Sequence, residues 1–110
     1  MKNMQTWYDK IAQSYDEKWF DGIREKYYEA LNDHFVFSMF DFKGKCVLDL
    51  GCGTGRITKR IAHVAQTIHG IDFSKAMVRE ARKKTADCPN VRIEMMDGMK
   101  MSWRDSAFDI

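Results

Sequence analysis

The sequence has little of the material from which several classes of protein are built. Its 110 residues contain only three cysteines and one proline, and the formal net charge is +2. An odd number of cysteines with no C-x-x-C pair indicates neither a disulfide framework nor a zinc site. We therefore interpret Cys46, Cys52 and Cys88 as reduced, mostly buried thiols, and we predict no metal site.

Long apolar runs are also missing. The longest, Phe35 to Phe40, is far shorter than the roughly 18 residues that a membrane-spanning helix requires, and the polar start "MKNMQTWYDK" lacks the apolar core of a signal peptide. The balanced charge, with one short basic cluster at residues 79–84, is not the footprint of a nucleic-acid-binding protein. We interpret that cluster as a solvated helix face. The expected protein is cytoplasmic and binds neither a membrane nor nucleic acid.

The first 42 residues are aromatic and helical in period. Two stripes recur at steps of three and four, with Gly22 between them: Tyr8, Ile11, Ala12, Tyr15 and Trp19, and then Ile23, Tyr27, Leu31 and Phe35. The stretch "FVFSMF" that follows fits either the end of a helix or a short extended segment. An amino-terminal helical segment over residues 1–42 is therefore predicted.

From residue 43 onwards, short apolar runs alternate with helical stripes. The runs "CVLDL", "TIHGI" and "VRIEM" predict three strands, and "FDI" at 108–110 predicts the start of a fourth. The stripes between the strands are Ile57, Ile61 and Val64, and then Met77, Val78 and Ala81 behind a Ser74 cap.

This alternation is typical of parallel strands joined by right-handed crossovers. It predicts an α/β, Rossmann-like sheet of strand order 3-2-1, with helices on both faces. We expect one domain over residues 1–110, in which the βαβαβ core occupies residues 43–110.

Three alternating glycines follow the first predicted strand, at 51, 53 and 55. Open α/β sheets bind ligands at this place, beyond the carboxyl ends of their strands. A glycine lets a ligand approach the backbone closely, and the helix that begins near Gly55 directs unpaired amide groups at the same spot. The loop is therefore a candidate ligand site.

Acidic side chains occur at or near the ends of all three strands. Asp49 lies inside the first strand, Asp72 follows the second about twenty residues beyond the loop, and Asp97 follows the third. At the spacing of Asp72 from the loop, an acidic side chain can accept hydrogen bonds from the hydroxyls of an adenosine ribose. Two of them have a local alternative, since Asp72 can cap a helix ahead of Ser74 and Asp97 can start a D-G turn. Their joint occurrence at one sheet edge favours a ligand.

The segments "VLDLGCGTG", "GIDFSKAMV", "MMDGM" and "FDI", in this order, resemble the successive motifs of class I S-adenosylmethionine-dependent methyltransferases. The start "WYDKIAQSYDEKW" resembles the helix that precedes the sheet in many members that act on small molecules. The resemblance implies S-adenosylmethionine as cofactor and a small-molecule methyl acceptor. A dinucleotide-binding oxidoreductase is the alternative, but it usually carries G-x-G-x-x-G and has no need of Asp49. A carboxylate there suits a cofactor with a positive sulfur and an ammonium group.

The resemblance also implies roles at the methionine end of the cofactor. Asp49, Gly51, Cys52 and Gly53 are expected to line it, with Thr54 and Gly55 completing the loop. Tyr8 and Tyr15 either close over the methionine carboxylate or form only the buried face of the first helix. No residue is nominated as a catalytic base.

At the adenosine end, the resemblance assigns Asp72 to the ribose hydroxyls, and Phe73 and Met77 to the adenine ring. Asp97 is expected to bind the adenine amino group. The backbone of Gly98 or Met99 is expected to contact a ring nitrogen.

The family sheet has about seven strands, so we expect this chain to be the cofactor-binding half of a methyltransferase. A non-catalytic module for cofactor binding or assembly is the alternative. The open edge on the first strand offers another alternative, a small protein that completes its sheet as a homodimer.

Overall fold

The computed structural model describes residues 2–19, 22–101, 103 and 106–110. The amino-terminal segment is helical, as predicted, and consists of α1 (Lys2–Ile11), α2 (Tyr15–Trp19) and α3 (Gly22–Asn32). A 3-10 turn, Ala12–Ser14, joins α1 to α2, and a π-helical turn, Asp33–Phe37, extends α3. "FVFSMF" therefore starts as helix rather than strand. None of the helices in these described ranges is long and apolar enough to cross a bilayer.

The two predicted stripes of this segment differ in outcome. In the first, Ala12 is buried and Tyr8 and Tyr15 are half-buried, while the side chain of Trp19 lies outside the described residues. The second stripe lies on a helix, but its surface is uncovered, because Ile23 is 88% exposed and Phe35 is also exposed.

The core alternates strands and helices in the predicted order. Its elements are β1 (Cys46–Leu50), α4 (Arg56–Ala62), β2 (Thr67–Asp72), α5 (Lys75–Lys84) and β3 (Val91–Met95). The strands are parallel in the order β1-β2-β3, with Cys46 opposite Thr67 and Ile68 opposite Val91. This confirms the predicted order 3-2-1. Val64 lies beyond the end of α4 and is exposed, so its assignment to the helical stripe was wrong.

Apolar packing joins α4 and α5 to the sheet. Both helices contact β2, β3 and each other. One buried cluster centres on Val47, Ile61 and Ile68, and the predicted inner face of α5, Met77, Val78 and Ala81, is fully buried. The apolar run of β1 suggests a strand buried on both faces, but burial is incomplete, because Leu50 at its carboxyl end is exposed.

The other face of the sheet meets the segment that follows β3. His69 alternates with Ile68 along β2 and therefore faces away from α4. Its ring packs edge-on against Trp103, with ring centroids 4.7 Å apart. Phe108 contacts the same two rings.

The end of the chain lies along the outer edge of β1. Asp109 donates its amide to the Cys46 carbonyl at 2.7 Å, and Leu48 donates to the Ile110 carbonyl at 2.9 Å. Residues 109 and 110 thus bond to β1 at the edge where a fourth strand would pair, but the described residues form a sheet of three strands, so the start of a fourth strand stays a prediction. These bonds occupy backbone groups of β1 through which a second copy would have to pair. The homodimer expected at this edge stays a prediction.

Candidate functional site

Two adjoining cavities lie at the carboxyl edge of the sheet. The strand-1 cavity, about 190 Å³, is lined by Asp49, Tyr15, the loop residues 51–54 and the start of α4. The strand-2 cavity, about 260 Å³, is lined by residues at the end of β2 together with Met4 and Tyr8 from α1. Tyr15, Gly51 and Gly53 line both. The two cavities therefore form one elongated hollow over the glycine loop.

The bare backbone of the loop forms the floor of this hollow. Gly51 and Gly53 have φ of +74° and +56°, which other residues rarely adopt. The amides of Gly51 and Cys52 both donate to the Ile71 carbonyl at 2.9 Å, so the loop is tied to β2. A Cβ added at Gly51 or Gly53 would meet no described atom within 4 Å. Both glycines therefore present open backbone to a ligand.

Asp49 brings a carboxylate to the strand-1 cavity. Burial raises its pKa, the hydrogen bond that Thr58 donates at 2.6 Å opposes this, and the negative charge of Asp72 raises the pKa further. An anion held in this way is stabilised when a cationic group enters the cavity. The predicted role of Asp49 therefore fits its surroundings.

Asp72 has the helix-start contact of its local interpretation, while its contact with a ribose stays a prediction. It is 8% exposed and lines the strand-2 cavity. Its Oδ2 accepts from the Gly53 amide at 3.0 Å, and its Oδ1 accepts from the Ser74 amide at 2.9 Å. Ser74 caps α5 as predicted, because its Oγ accepts from the Met77 amide at 3.2 Å. Asp72 thus braces the loop and the helix start, and each carboxylate oxygen still has a lone pair for a ligand hydroxyl.

Aromatic residues surround the rest of the strand-2 cavity. Phe73 and Met77 line it, their expected contact with adenine staying a prediction, and the Tyr8 ring meets Phe73 edge-on at 6.0 Å between centroids. Burial is the main cause that raises the pKa of Tyr15, and the electrostatic effect of Tyr8 is the next. The Tyr15 hydroxyl therefore stays protonated at neutral pH. Tyr8 and Tyr15 therefore lie in the wall of the hollow.

The residues after β3 lie along the same sheet edge but outside the two cavity linings described above. Asp97 is exposed and accepts from the Met99 amide at 2.9 Å, which matches the turn interpretation. A Cβ on Gly98 would lie 3.0 Å from Leu50 Cδ1, next to the glycine loop. Contact of Asp97, Gly98 or Met99 with adenine stays a prediction.

Cys52 carries a thiol that does not ionise at neutral pH. Burial, followed by the charges of Asp49 and Asp72, raises its pKa to about 12. The sequence predicts that Cys52 lines the cofactor through its backbone, a role that does not require a reactive thiol. All three cysteines are free but only half-buried, so the expectation of mostly buried thiols was too strong.

Three polar residues of the helical segment contact the site and were missed from the sequence. Gln5 Nε2 donates to the Phe73 carbonyl at 2.8 Å, Asp9 accepts from Ser74 Oγ, and Asp16 accepts from Thr54 Oγ1 at 2.8 Å. A signal for them was present, since positions 5, 9 and 16 share one helix face with the buried Ala12. Polar residues at that spacing indicate a helix that docks through hydrogen bonds.

Comparison with known proteins gives consistent findings. Residues 47–110 match the family model described as a methyltransferase domain. The demethylmenaquinone methyltransferase of Staphylococcus epidermidis is 27% identical, over 98% of this chain and 46% of that protein. The chain thus spans less than half the length of the curated relatives that it matches.

Two solved structures extend the comparison. An S-adenosylmethionine-dependent methyltransferase from Mesorhizobium loti is 28% identical over 71% of this chain and 37% of that one, with a TM-score of 0.63. Phosphoethanolamine N-methyltransferase 1 of Haemonchus contortus, in complex with phosphoethanolamine and S-adenosylhomocysteine, matches 98% of this chain and 24% of that one. Its TM-score is 0.82 at 18% identity, which shows a shared fold.

Proposed function

Because this chain belongs to the class I S-adenosylmethionine-dependent methyltransferases, we propose that residues 1–110 form one domain that binds the cofactor for methyl transfer to a small molecule. The family's cofactor, S-adenosylmethionine, is the one that the sequence predicts. In this proposal, the helical segment 1–42 covers the hollow and the core 43–110 supplies its floor. The chain is then the cofactor-binding half of a larger sheet.

The observation that carries the proposal is the shape and charge of the hollow. Asp49 lies towards one end, Asp72 lies towards the other, and the open faces of Gly51 and Gly53 lie between them. This arrangement suits a ligand with positive groups at one end and a ribose at the other. Phe73 and Met77 offer apolar surface to an adenine ring beyond the ribose.

Bound S-adenosylmethionine supplies a methyl group on an already activated sulfonium leaving group. The residues of this chain then need only bind, orient and exclude water, and orientation alone accounts for much of the acceleration in such reactions. Tyr8 and Tyr15 cover the hollow from α1 and α2. Asp49 would stabilise the positive charge that the cofactor carries and its demethylated product lacks at sulfur, so it would favour binding of the cofactor.

Two of the similar proteins support a small-molecule acceptor. One is a demethylmenaquinone methyltransferase, and the other is a phosphoethanolamine N-methyltransferase solved with phosphoethanolamine bound. Both molecules are small compared with a protein or a nucleic acid. We therefore propose a small-molecule acceptor for the whole protein of which this hollow is a part.

Calorimetric titration with S-adenosylmethionine and S-adenosylhomocysteine tests the proposal. The Asp72→Asn variant is expected to weaken both affinities by at least about tenfold, because an amide cannot accept from two amides and a ribose hydroxyl together. The Asp87→Asn variant makes the same change at an exposed side chain in the turn before β3, and it should bind normally. Melting curves confirm that both variants fold. The proposal fails if the unaltered chain binds neither compound, or if a folded Asp72→Asn binds as tightly as Asp87→Asn.

A further inference from the structure

Thr54 links the glycine loop to the helical segment. It lies in the middle of the loop and is 4% exposed. Its Oγ1 donates to Oδ1 of Asp16 in α2 at 2.8 Å. The glycine loop forms the floor of the hollow, and α1 and α2 form its cover. One buried hydroxyl therefore joins the floor to the cover.

Lys84 reaches the same carboxylate from a third element. It is the last residue of α5, and its ammonium pairs with Oδ2 of Asp16. It also lies 3.4 Å from Thr54 Oγ1. The basic cluster of α5 is therefore not solvated throughout, because Lys84 is turned inwards while its neighbour Lys83 is mostly exposed. The loop, α2 and α5 all meet at Asp16.

A second contact anchors the other end of the cover. Asp9 in α1 accepts from Ser74 Oγ and, at 3.3 Å, from the Ala76 amide at the start of α5. Among the described residues, no lysine or arginine forms an ion pair with Asp9. The contact at Asp16 is the one that combines an ion pair with a hydrogen bond from the glycine loop.

We propose that Asp16 is a positioning residue that, held by Thr54 and Lys84, keeps α1 and α2 closed over the hollow and so limits the rate at which cofactor leaves. Its neighbour Tyr15 lines both cavities, and Tyr8 and Met4 of the preceding helix line one of them. Release of Asp16 frees this wall of the hollow. The identity of the departing cofactor rests on the proposed function, whereas the closure rests on the contacts of Asp16 with Thr54 and Lys84.

The ion pair is suited to opening and closing. Lys84 and Asp16 keep 25% and 31% of their side chains exposed. Water and salt reach such a pair, so its strength is modest and falls as ionic strength rises. The rate of opening should therefore depend on salt in the unaltered chain and lose most of that dependence when Lys84 is neutral.

Hydrogen exchange of the cofactor-free chain tests the closure by itself. Lys84→Met is expected to speed amide exchange in residues 5–16 by about threefold or more, and Thr54→Val should act in the same direction. Lys83→Met is the matched control, because the partner of Lys83 among the described residues is Glu80 on the same helix, and it should leave exchange unchanged. Lys84→Arg keeps the charge and should stay close to the unaltered chain. Unchanged exchange in both Lys84→Met and Thr54→Val would overturn the proposal.

Stopped-flow measurement of S-adenosylhomocysteine release tests the consequence. Release from Lys84→Met should be faster than from Lys83→Met and should respond little to added salt, a signature that a purely packing role would not produce. Equal release rates with equal salt dependence in the two variants would also overturn the proposal. If the unaltered chain binds no S-adenosylhomocysteine, the proposed function fails instead, and the exchange experiment still decides whether Asp16 holds the cover.

Discussion

At the scale of single residues, Asp49 shows a conflict between stability and binding. Asp49 is half-buried in β1 beside the strand-1 cavity, and desolvation of its carboxylate is the main cause that raises its pKa. Between its ordinary pKa and the raised one, the folded chain binds more protons than the unfolded chain. The free energy of unfolding therefore falls as pH rises through this interval, and the whole cost is present above the raised pKa. A cationic ligand offsets this cost.

Asp49→Asn is therefore expected to stabilise the cofactor-free chain at neutral pH, by a few degrees in the thermal midpoint, while the amide oxygen still accepts from Thr58. The gain should shrink below the ordinary pKa of an aspartate, where the native carboxyl is neutral in both states. Urea unfolding at the two pH values measures this. A gain that is equal at both values would show that the charge of Asp49 is not its source.

The same substitution should reduce affinity for S-adenosylmethionine by about tenfold and affinity for S-adenosylhomocysteine by less. The reason is that only the former carries a charged sulfur. Calorimetry with both ligands gives the two ratios. An equal loss for both would mean that Asp49 does not interact with the sulfonium.

At the scale of elements, the glycines of the loop serve different purposes. Gly51 faces open space, whereas a Cβ on Gly55 would lie 3.2 Å from Cα and Cβ of Ala81. Both have positive φ, which costs other residues about 1–2 kcal/mol. Gly51 therefore leaves room for a ligand, and Gly55 lets α4 start close against α5.

Gly55→Ala should consequently destabilise the chain more than Gly51→Ala does. In an Ala81→Gly background, the added cost of Gly55→Ala should fall, while that of Gly51→Ala should not. Urea denaturation of the single and double variants measures the coupling between the two sites. Absence of coupling between residues 55 and 81 would contradict this account.

Elements that depend on local pattern could be predicted from the sequence. The strands β1, β2 and β3 follow short buried runs, and Ser74 caps α5 through a contact three residues away. The exposure of Ile23 and Leu50 could not be predicted, because burial of a side chain depends on whether a distant segment of the chain packs against its helix or strand. The role of Asp16 was missed for the same reason, since its partners lie 38 and 68 residues away.

At the scale of the whole molecule, the hollow belongs to neither half of the chain alone. Gly51, Gly53 and Asp72 come from the core, and Tyr8 and Tyr15 come from the helical segment. Parallel strands carry the acidic residues to one edge, and α1 and α2 dock there through polar contacts. The single domain proposed for residues 1–110 accounts for this shared construction.

The most direct test of the central claim is a nuclear magnetic resonance titration of the ¹⁵N-labelled chain with S-adenosylhomocysteine. The account predicts that the largest amide shifts fall on Gly51, Gly53 and Phe73, with smaller shifts at Tyr8 and Tyr15. Shifts confined to the outer face of α5, around Arg79 and Lys83, would place the ligand elsewhere. Either that pattern or a spectrum that does not change would contradict the claim that this hollow holds the cofactor.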